Sequence, residues 1–268
     1  MTSSAASVVT IEPPPGARKR PLLFVHGIYH GGWCFLETFA PYFAALGHPC
    51  HVLTLRGHDP RNGLKIRATR ADYLVDVRAA LSRIAPAPIV IGHSLGGMLV
   101  QTLVAEGLVR DAVLLATPTP LALVRRAVSE TLRRPGVFLP AWLTFDMQRA
   151  YHAPEVCRDS FFSAGFPRDA MGRILEKLRG VAYGSMALLR TLFAPVPGPR
   201  PGFDGRVLVV GGALDPTCTP AVEAGIARRY GTRAIIVEGV SHDLMLDTLW
   251  RDAAAAVAAW LADAADAR

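Results

Sequence analysis

The chain has 268 residues and a formal net charge of +7, with 51% hydrophobic and 19% charged residues. This length and composition exclude a disordered chain and favour a globular protein with one sizeable core. The positive charge comes mostly from scattered arginines, and no basic run alternates with aromatic residues, so nucleic-acid binding is not expected.

The N-terminus carries no basic residue before its weak apolar stretch, and no run of eighteen apolar residues occurs. We therefore expect a cytoplasmic protein without a signal peptide or membrane span. The four cysteines show no C-x-x-C spacing, which favours buried free thiols in a reducing compartment: Cys34, Cys50, Cys157 and Cys218.

Short apolar runs typical of buried strands recur along the chain, with helical patterns between them. The runs cover residues 7–11, 21–27, 51–55, 88–93, 111–116, 206–212 and 233–239. Continuous apolar runs are typical of parallel strands that are covered on both faces. Helical spacing of apolar residues follows in 71–85, 219–231 and 247–265. The alternation predicts an α/β sheet with helices on both faces.

This alternation stops between about residues 118 and 201, where no strand pattern occurs. Helical segments at residues 121–134, 140–152, 167–181 and 185–193 are separated by Pro and Gly, and the proline-rich PVPGPRPGFDGR leads back to the next predicted strand. We expect one α/β domain formed by residues 1–119 and 202–268, with an all-helical insertion at 120–201.

Ser94 lies at a predicted transition from strand to helix, in PIVIGHSLGGMLV (residues 88–100). A G-x-S-x-G match alone is weak, but a preceding strand and a following helix are the setting of a nucleophilic serine on a sharp turn. The small flanking residues allow the backbone to turn and expose the hydroxyl. A serine hydroxyl is a poor nucleophile at neutral pH, so it needs a base that is oriented by an acid.

Asp215 and His242 are the candidate acid and base, because each follows a late predicted strand. A turn before Pro216 is the alternative role for Asp215, and an ordinary surface loop is the alternative setting for His242. Asp243 is a poor substitute acid, because the sequence neighbour of a histidine normally points its side chain away from the imidazole.

Backbone donors for a developing oxyanion are expected from the loop HGIYHGGW (residues 26–33) and from the turn after the serine. The sequence predicts the N–H groups of Ile28 and Leu95 in this role. We interpret His26 as a structural residue that holds the loop, because one base suffices for the chemistry.

The sequence resembles the α/β-hydrolase superfamily, in its serine esterase and lipase-like branch. The resemblance is carried by FVHGIYHGGW (24–33), LRGHD (55–59), GHSLGG (92–97), GALD (212–215) and GVSHD (239–243), in that order. It implies a mostly parallel sheet of about eight strands, a triad of Ser94, His242 and Asp215, a helical lid inserted after the sixth strand, and no metal or organic cofactor. One departure is Asp59, where many relatives carry glycine.

The expected reaction is cleavage of an ester, thioester or lactone with a hydrophobic acyl part through an acyl-enzyme. Carbon–carbon bond hydrolysis, hydroxynitrile cleavage and acyl transfer use the same triad and stay open, as does a non-catalytic receptor for a small ligand. The insertion is expected to cover the site and to contact substrate, although its aromatic residues more often pack internally. These apolar candidates are Trp142, Phe145, Met147, Phe161, Phe162 and Phe166.

Overall fold

A seven-stranded sheet forms the centre of the protein, as described by a computed structural model that covers residues 6–16, 18–58, 68–144, 146–179 and 194–266. The strands lie in the order β1-β3-β2-β4-β5-β6-β7, with β1 antiparallel to β3 and every other pair parallel. The predicted α/β class is therefore confirmed. The strands are β1 (Ser7–Ile11), β2 (Leu22–Val25), β3 (Cys50–Thr54), β4 (Ile89–His93), β5 (Asp111–Leu115), β6 (Arg206–Gly212) and β7 (Ala234–Val237).

Helices cover both faces of this sheet. Outside the insertion they are α1 (Trp33–Leu36), α2 (Phe39–Ala45), α3 (Arg70–Leu81), α4 (Leu95–Ala105), α10 (Pro220–Arg229) and α11 (Trp250–Asp266). Successive residues of β2 enter opposite cores: Leu23 packs with the face that holds α3, α4 and α10, whereas Leu22 packs with α1, α2 and α11. Burial on both faces explains why the strands are apolar throughout.

Two details of the predicted sheet are wrong. The described residues form seven strands rather than about eight, and the helical insertion follows the fifth strand rather than the sixth. Both errors have the same cause: the number of strands, and with it the position of the insertion, was taken from the family resemblance. In the described sheet β1 is the edge strand, paired only with β3, and the insertion follows the fifth strand in chain order.

Between β5 and β6 the described residues form helices, as the sequence predicts. They are α5 (Pro120–Arg133), α6 (Pro135–Leu143), α7 (Met147–Ala150), α8 (Pro154–Phe161) and α9 (Arg168–Arg179). The sequence missed α8, and the helix predicted over 140–152 is divided between α6 and α7. The segment predicted as helical at 185–193 lies outside the described residues, as do Phe145 and Asp59.

This insertion has a small apolar core of its own, but it also contributes to the main core. The core within the insertion is formed by Phe138, Ala141, Met147, Ala150 and Val156. Residues from α8 and α9 instead pack with the residues of β2, α3 and α4. All four cysteines are buried and free of disulfides, as predicted. Within the described residues, every helix is too short or too polar to cross a bilayer.

Candidate active site

Ser94 lies on a sharp turn between β4 and α4, with φ 51° and ψ −116°. A positive φ is uncommon for a residue with a side chain and stores strain that the surroundings must hold. The neighbouring glycines permit the turn: a Cβ on Gly96 would lie 2.1 Å from the carbonyl oxygen of Val25, and a Cβ on Gly92 would lie 2.7 Å from the Gly96 carbonyl. Helix α4 can therefore approach β2 closely only with glycine at these positions.

The three predicted triad residues meet at the carboxyl edge of the parallel strands. Nε2 of His242 lies 3.1 Å from Oγ of Ser94, and Nδ1 lies 2.7 Å from Oδ2 of Asp215. Each residue follows a different strand, namely β4, β6 or β7, and parallel strands bring such loops together. In the neutral tautomer that fits these contacts, Nδ1–H donates to Asp215 and Nε2 accepts the Ser94 hydroxyl proton.

Asp215 is held in place by its own hydrogen bonds. Its Oδ1 accepts the backbone N–H groups of Thr217 at 2.7 Å and Cys218 at 2.8 Å, which leaves Oδ2 for the imidazole. Burial by itself would lower the pKa of His242, but the charge of Asp215 and its hydrogen bond outweigh that desolvation and raise the pKa. The carboxylate therefore favours an imidazole that accepts a proton.

Ile28 and Leu95, the predicted oxyanion donors, both lie near the serine. Leu95 is the first residue of α4, and Ile28 lines the same cavity as Ser94. His26 ties the Ile28 loop to the end of β3, because its Nδ1 donates to the Gly27 carbonyl and its Nε2 accepts the Leu55 N–H. Burial and the charge of neighbouring histidines lower the pKa of His26 well below its usual value, so it is neutral, which fits a structural role.

A second buried pair, missed by the sequence analysis, supports the same loop. Nε2 of His30 lies 2.8 Å from Oδ2 of Asp243, and its Nδ1 lies 2.9 Å from the Ile28 carbonyl oxygen. Both ring nitrogens of His30 therefore face oxygen acceptors, one on a side chain and one on the backbone. Asp243 thus pairs with His30 rather than with the ring of its neighbour His242. The motif HGIYHGGW contains His30, but spacing alone does not reveal its partner.

The cavity above Ser94 has a volume of about 70 Å³ and is lined mostly by the helical insertion. Of the apolar candidates, Trp142, Met147 and Phe161 line it. Phe162 and Phe166 instead stack on each other with ring centroids 3.9 Å apart and belong to the main core. Among the described residues of the insertion, Arg126 is the one charged side chain that lines this cavity, and the sequence analysis had treated it as one of many scattered arginines.

Two groups of side chains near the serine have potential metal-ligand atoms within 4.8 Å of one another: His93 with His242 and Asp243, and Asp215 with Cys218 and His242. Both groups need His242, whose two ring nitrogens already face Ser94 and Asp215. A metal ion at either place would have to replace one of these contacts. The donor set therefore fits a serine and histidine arrangement better than a metal centre.

A doubly covered α/β sheet with Ser, His and Asp aligned beyond its carboxyl edge defines a class of hydrolase folds. The model of the Alpha/beta hydrolase family matches residues 22–260, and the chain belongs to this family. No curated protein shows significant sequence similarity to the chain.

Several solved structures share the fold. An esterase from Exiguobacterium antarcticum has a TM-score of 0.71 at 14% identity, covering 96% of this chain and 95% of the other. The enol-lactonase from Burkholderia xenovorans LB400 has a TM-score of 0.68 at 19% identity, covering 96% of both chains. The esterase RhEst1 from Rhodococcus sp. ECU1013 has a TM-score of 0.64 at 21% identity, covering 96% and 95%. At these identities the likeness shows the fold alone.

Proposed function

We propose that this protein is a serine hydrolase that cleaves an ester, thioester or lactone with a hydrophobic acyl part. The observation that carries the proposal is the His242 imidazole, which lies 3.1 Å from the Ser94 hydroxyl and 2.7 Å from the Asp215 carboxylate. A base within hydrogen-bond reach, oriented by an acid, is what turns a serine hydroxyl into a nucleophile.

In the proposed reaction, Ser94 Oγ attacks the substrate carbonyl while Nε2 of His242 takes the hydroxyl proton. The tetrahedral intermediate places its oxyanion near the N–H groups of Ile28 and Leu95. As the bond to the leaving group breaks, His242 returns the proton to the departing oxygen or sulfur. Water then attacks the acyl-enzyme while His242 takes one of its protons, and His242 passes that proton to Oγ of Ser94 as the acid is released.

The residues around the cavity support an apolar acyl group and a covering role for the helical insertion at 120–201. Leu123, Phe138, Trp142 and Phe161, all from α5, α6 and α8, line the space above Ser94. The cavity of about 70 Å³ is far smaller than the ~300–1,000 Å³ of typical ligand sites. A long acyl chain therefore requires the insertion to move away from the serine, as a lid does.

The test is a kcat/KM series on p-nitrophenyl esters of increasing acyl length, with Ser94→Ala as the comparison. The proposal predicts turnover that falls by a factor on the order of a thousand or more in Ser94→Ala. Ser7→Ala, an exposed serine on the edge strand β1, is the matched control and should keep full activity. Equal rates in wild type and Ser94→Ala, or none in either, would contradict ester cleavage and favour the lyase, carbon–carbon hydrolase or receptor alternatives.

A further inference from the structure

A groove of about 520 Å³ adjoins the Ser94 cavity and runs between α5 of the insertion and α10 of the α/β domain. Arg126 and Thr217 line both spaces, so the groove begins where the catalytic cavity ends. Its volume falls within the ~300–1,000 Å³ of sites for small molecules, whereas the space directly above the serine does not.

The groove is cationic. Arg125 and Arg126 line it from α5, Arg229 lines it from α10, and none of its described lining residues is acidic. Arg125 is exposed and makes no hydrogen bond or ion pair with any described side chain or backbone group. An unpaired guanidinium at the wall of an open groove is available to a ligand, and guanidinium groups bind carboxylate and phosphate with paired hydrogen bonds.

Arg126 is fixed at the junction of the two spaces. Its side chain is 9% exposed, its Nη1 lies 2.9 Å from Oε1 of Glu130, and its Nη2 donates to Oγ of Ser160 at 3.2 Å. Glu130 neutralises this charge only in part, because it also pairs with Arg134 at 2.5 Å and lies 3.7 Å from Arg133. The positive charge of Arg126 reaches the catalytic base, where it lowers the pKa of His242 against the larger effect of Asp215.

We propose that this groove is the subsite for an anionic leaving group: the substrate joins a short apolar acyl group to an alcohol or thiol that carries a carboxylate or phosphate. The inference rests on the proposed hydrolase function and adds the chemical class of the leaving group. The apolar cavity holds the acyl part against Ser94, and the arginines hold the charge a few bonds beyond the scissile linkage. Hydrolysis consumes one water and releases the acid and the anionic alcohol or thiol.

The test uses two esters with the same butanoyl group and leaving phenols of matched acidity. One phenol carries a propanoate side chain and the other carries the corresponding primary amide, so only the charge differs. A charge-assisted contact of about 1.5–3 kcal/mol predicts that wild type prefers the anionic ester by roughly ten-fold or more in kcat/KM. The preference should shrink when salt is added, because the groove is open to solvent.

Arg125→Gln removes no hydrogen bond or ion pair of the described residues, so it tests the groove with little disturbance of the fold. We expect it to lower the preference several-fold, and the double variant Arg125→Gln/Arg229→Gln to bring it close to one. Arg228→Gln is the matched control, because Arg228 is exposed on α10 next to Arg229 but does not line the groove. Equal turnover of both esters by wild type, or an unchanged preference in the double variant, would overturn the subsite.

The failure of the subsite and the failure of the hydrolase function give different results. Turnover of the neutral ester without a charge preference overturns the subsite and leaves the hydrolase function standing. If wild type cleaves neither ester, the hydrolase function fails, and calorimetric binding of the hydroxyphenyl propanoate and its amide decides the subsite separately. Tighter binding of the propanoate that is lost in the double variant supports it, and equal binding overturns it.

Discussion

Replacing Gly97 with alanine should disturb the turn that carries Ser94. Gly97 lies in the first turn of α4 and is buried. A Cβ there would lie 1.9 Å from Oγ1 of Thr117 and 2.9 Å from its Cβ and Cγ2, whereas ordinary contact begins at 3.4 Å. Since Thr117 is fully buried, either its side chain rotates into occupied space or the start of α4 shifts away from the sheet.

The expected destabilisation follows from these distances. Overpacking a well-packed core costs about 1–3 kcal/mol, and the contact with the Thr117 Cβ places Gly97→Ala toward the upper end. Alanine recovers about 1 kcal/mol through its higher helix propensity. We expect the free energy of unfolding to fall by about 2 kcal/mol and the Tm by roughly 4–8 °C. The kcat should fall as well, because a displaced α4 misplaces the nucleophile.

Calorimetry on four variants tests this reasoning. Gly172→Ala in α9 is the matched control, because a Cβ there meets nothing within 4 Å, and we expect an unchanged or slightly higher Tm. Thr117→Ala removes Oγ1 and Cγ2, which are two of the atoms that the new Cβ would meet. The double variant should therefore be more stable, by at least about 1 kcal/mol, than the sum of the two single losses of unfolding free energy predicts. A neutral Gly97→Ala, or strictly additive effects in the double variant, would refute the steric argument.

Three further predictions concern buried charges. Asp215→Asn should lower kcat by a factor on the order of 10⁴, and it should move the acid limb of the kcat/KM profile to lower pH, because the carboxylate raises the pKa of His242. Burial, and then the charge of Asp215, raise the pKa of Glu223 well above 4.5, so the stability that its proton provides is lost as pH rises. The Tm of Glu223→Gln relative to wild type should therefore increase with pH in calorimetric scans, and a pH-independent difference would contradict this. His30→Ala leaves the Asp243 carboxylate buried without its 2.8 Å partner. We expect the free energy of unfolding, measured by urea titration, to fall by about 3–5 kcal/mol. A fall below about 1 kcal/mol would show that the pair is not stabilising.

The sheet could be predicted from sequence because its strands are buried on both faces. A strand covered on both sides needs apolar residues at every position, so β4 and β6 stand out as continuous runs that end in glycine-containing turns. The strand count was wrong where a resemblance, rather than a run of residues, supplied it. Helix α8 was missed because its eight residues contain only three apolar side chains after the proline, too few to establish a helical period from sequence alone.

The chemistry of the site was more predictable than its supports. Ser94, Asp215 and His242 each follow a strand, so the local pattern already indicates where their side chains lie. The pairing of His30 with Asp243 joins residues 213 positions apart, and no local pattern encodes it. Arg126 gave no signal either, since it becomes distinctive only when the fold of α5 places it beside the serine.

An activated nucleophile at Ser94 is the central claim, and a fluorophosphonate probe tests it without knowledge of the substrate. We predict one probe per chain, located on Ser94 by peptide mass spectrometry, with labelling that is lost in Ser94→Ala and strongly slowed in His242→Ala. The rate in wild type should fall at acid pH as His242 becomes protonated. Absence of labelling, labelling of another residue, or an equal rate in His242→Ala would contradict a Ser94–His242–Asp215 catalytic triad.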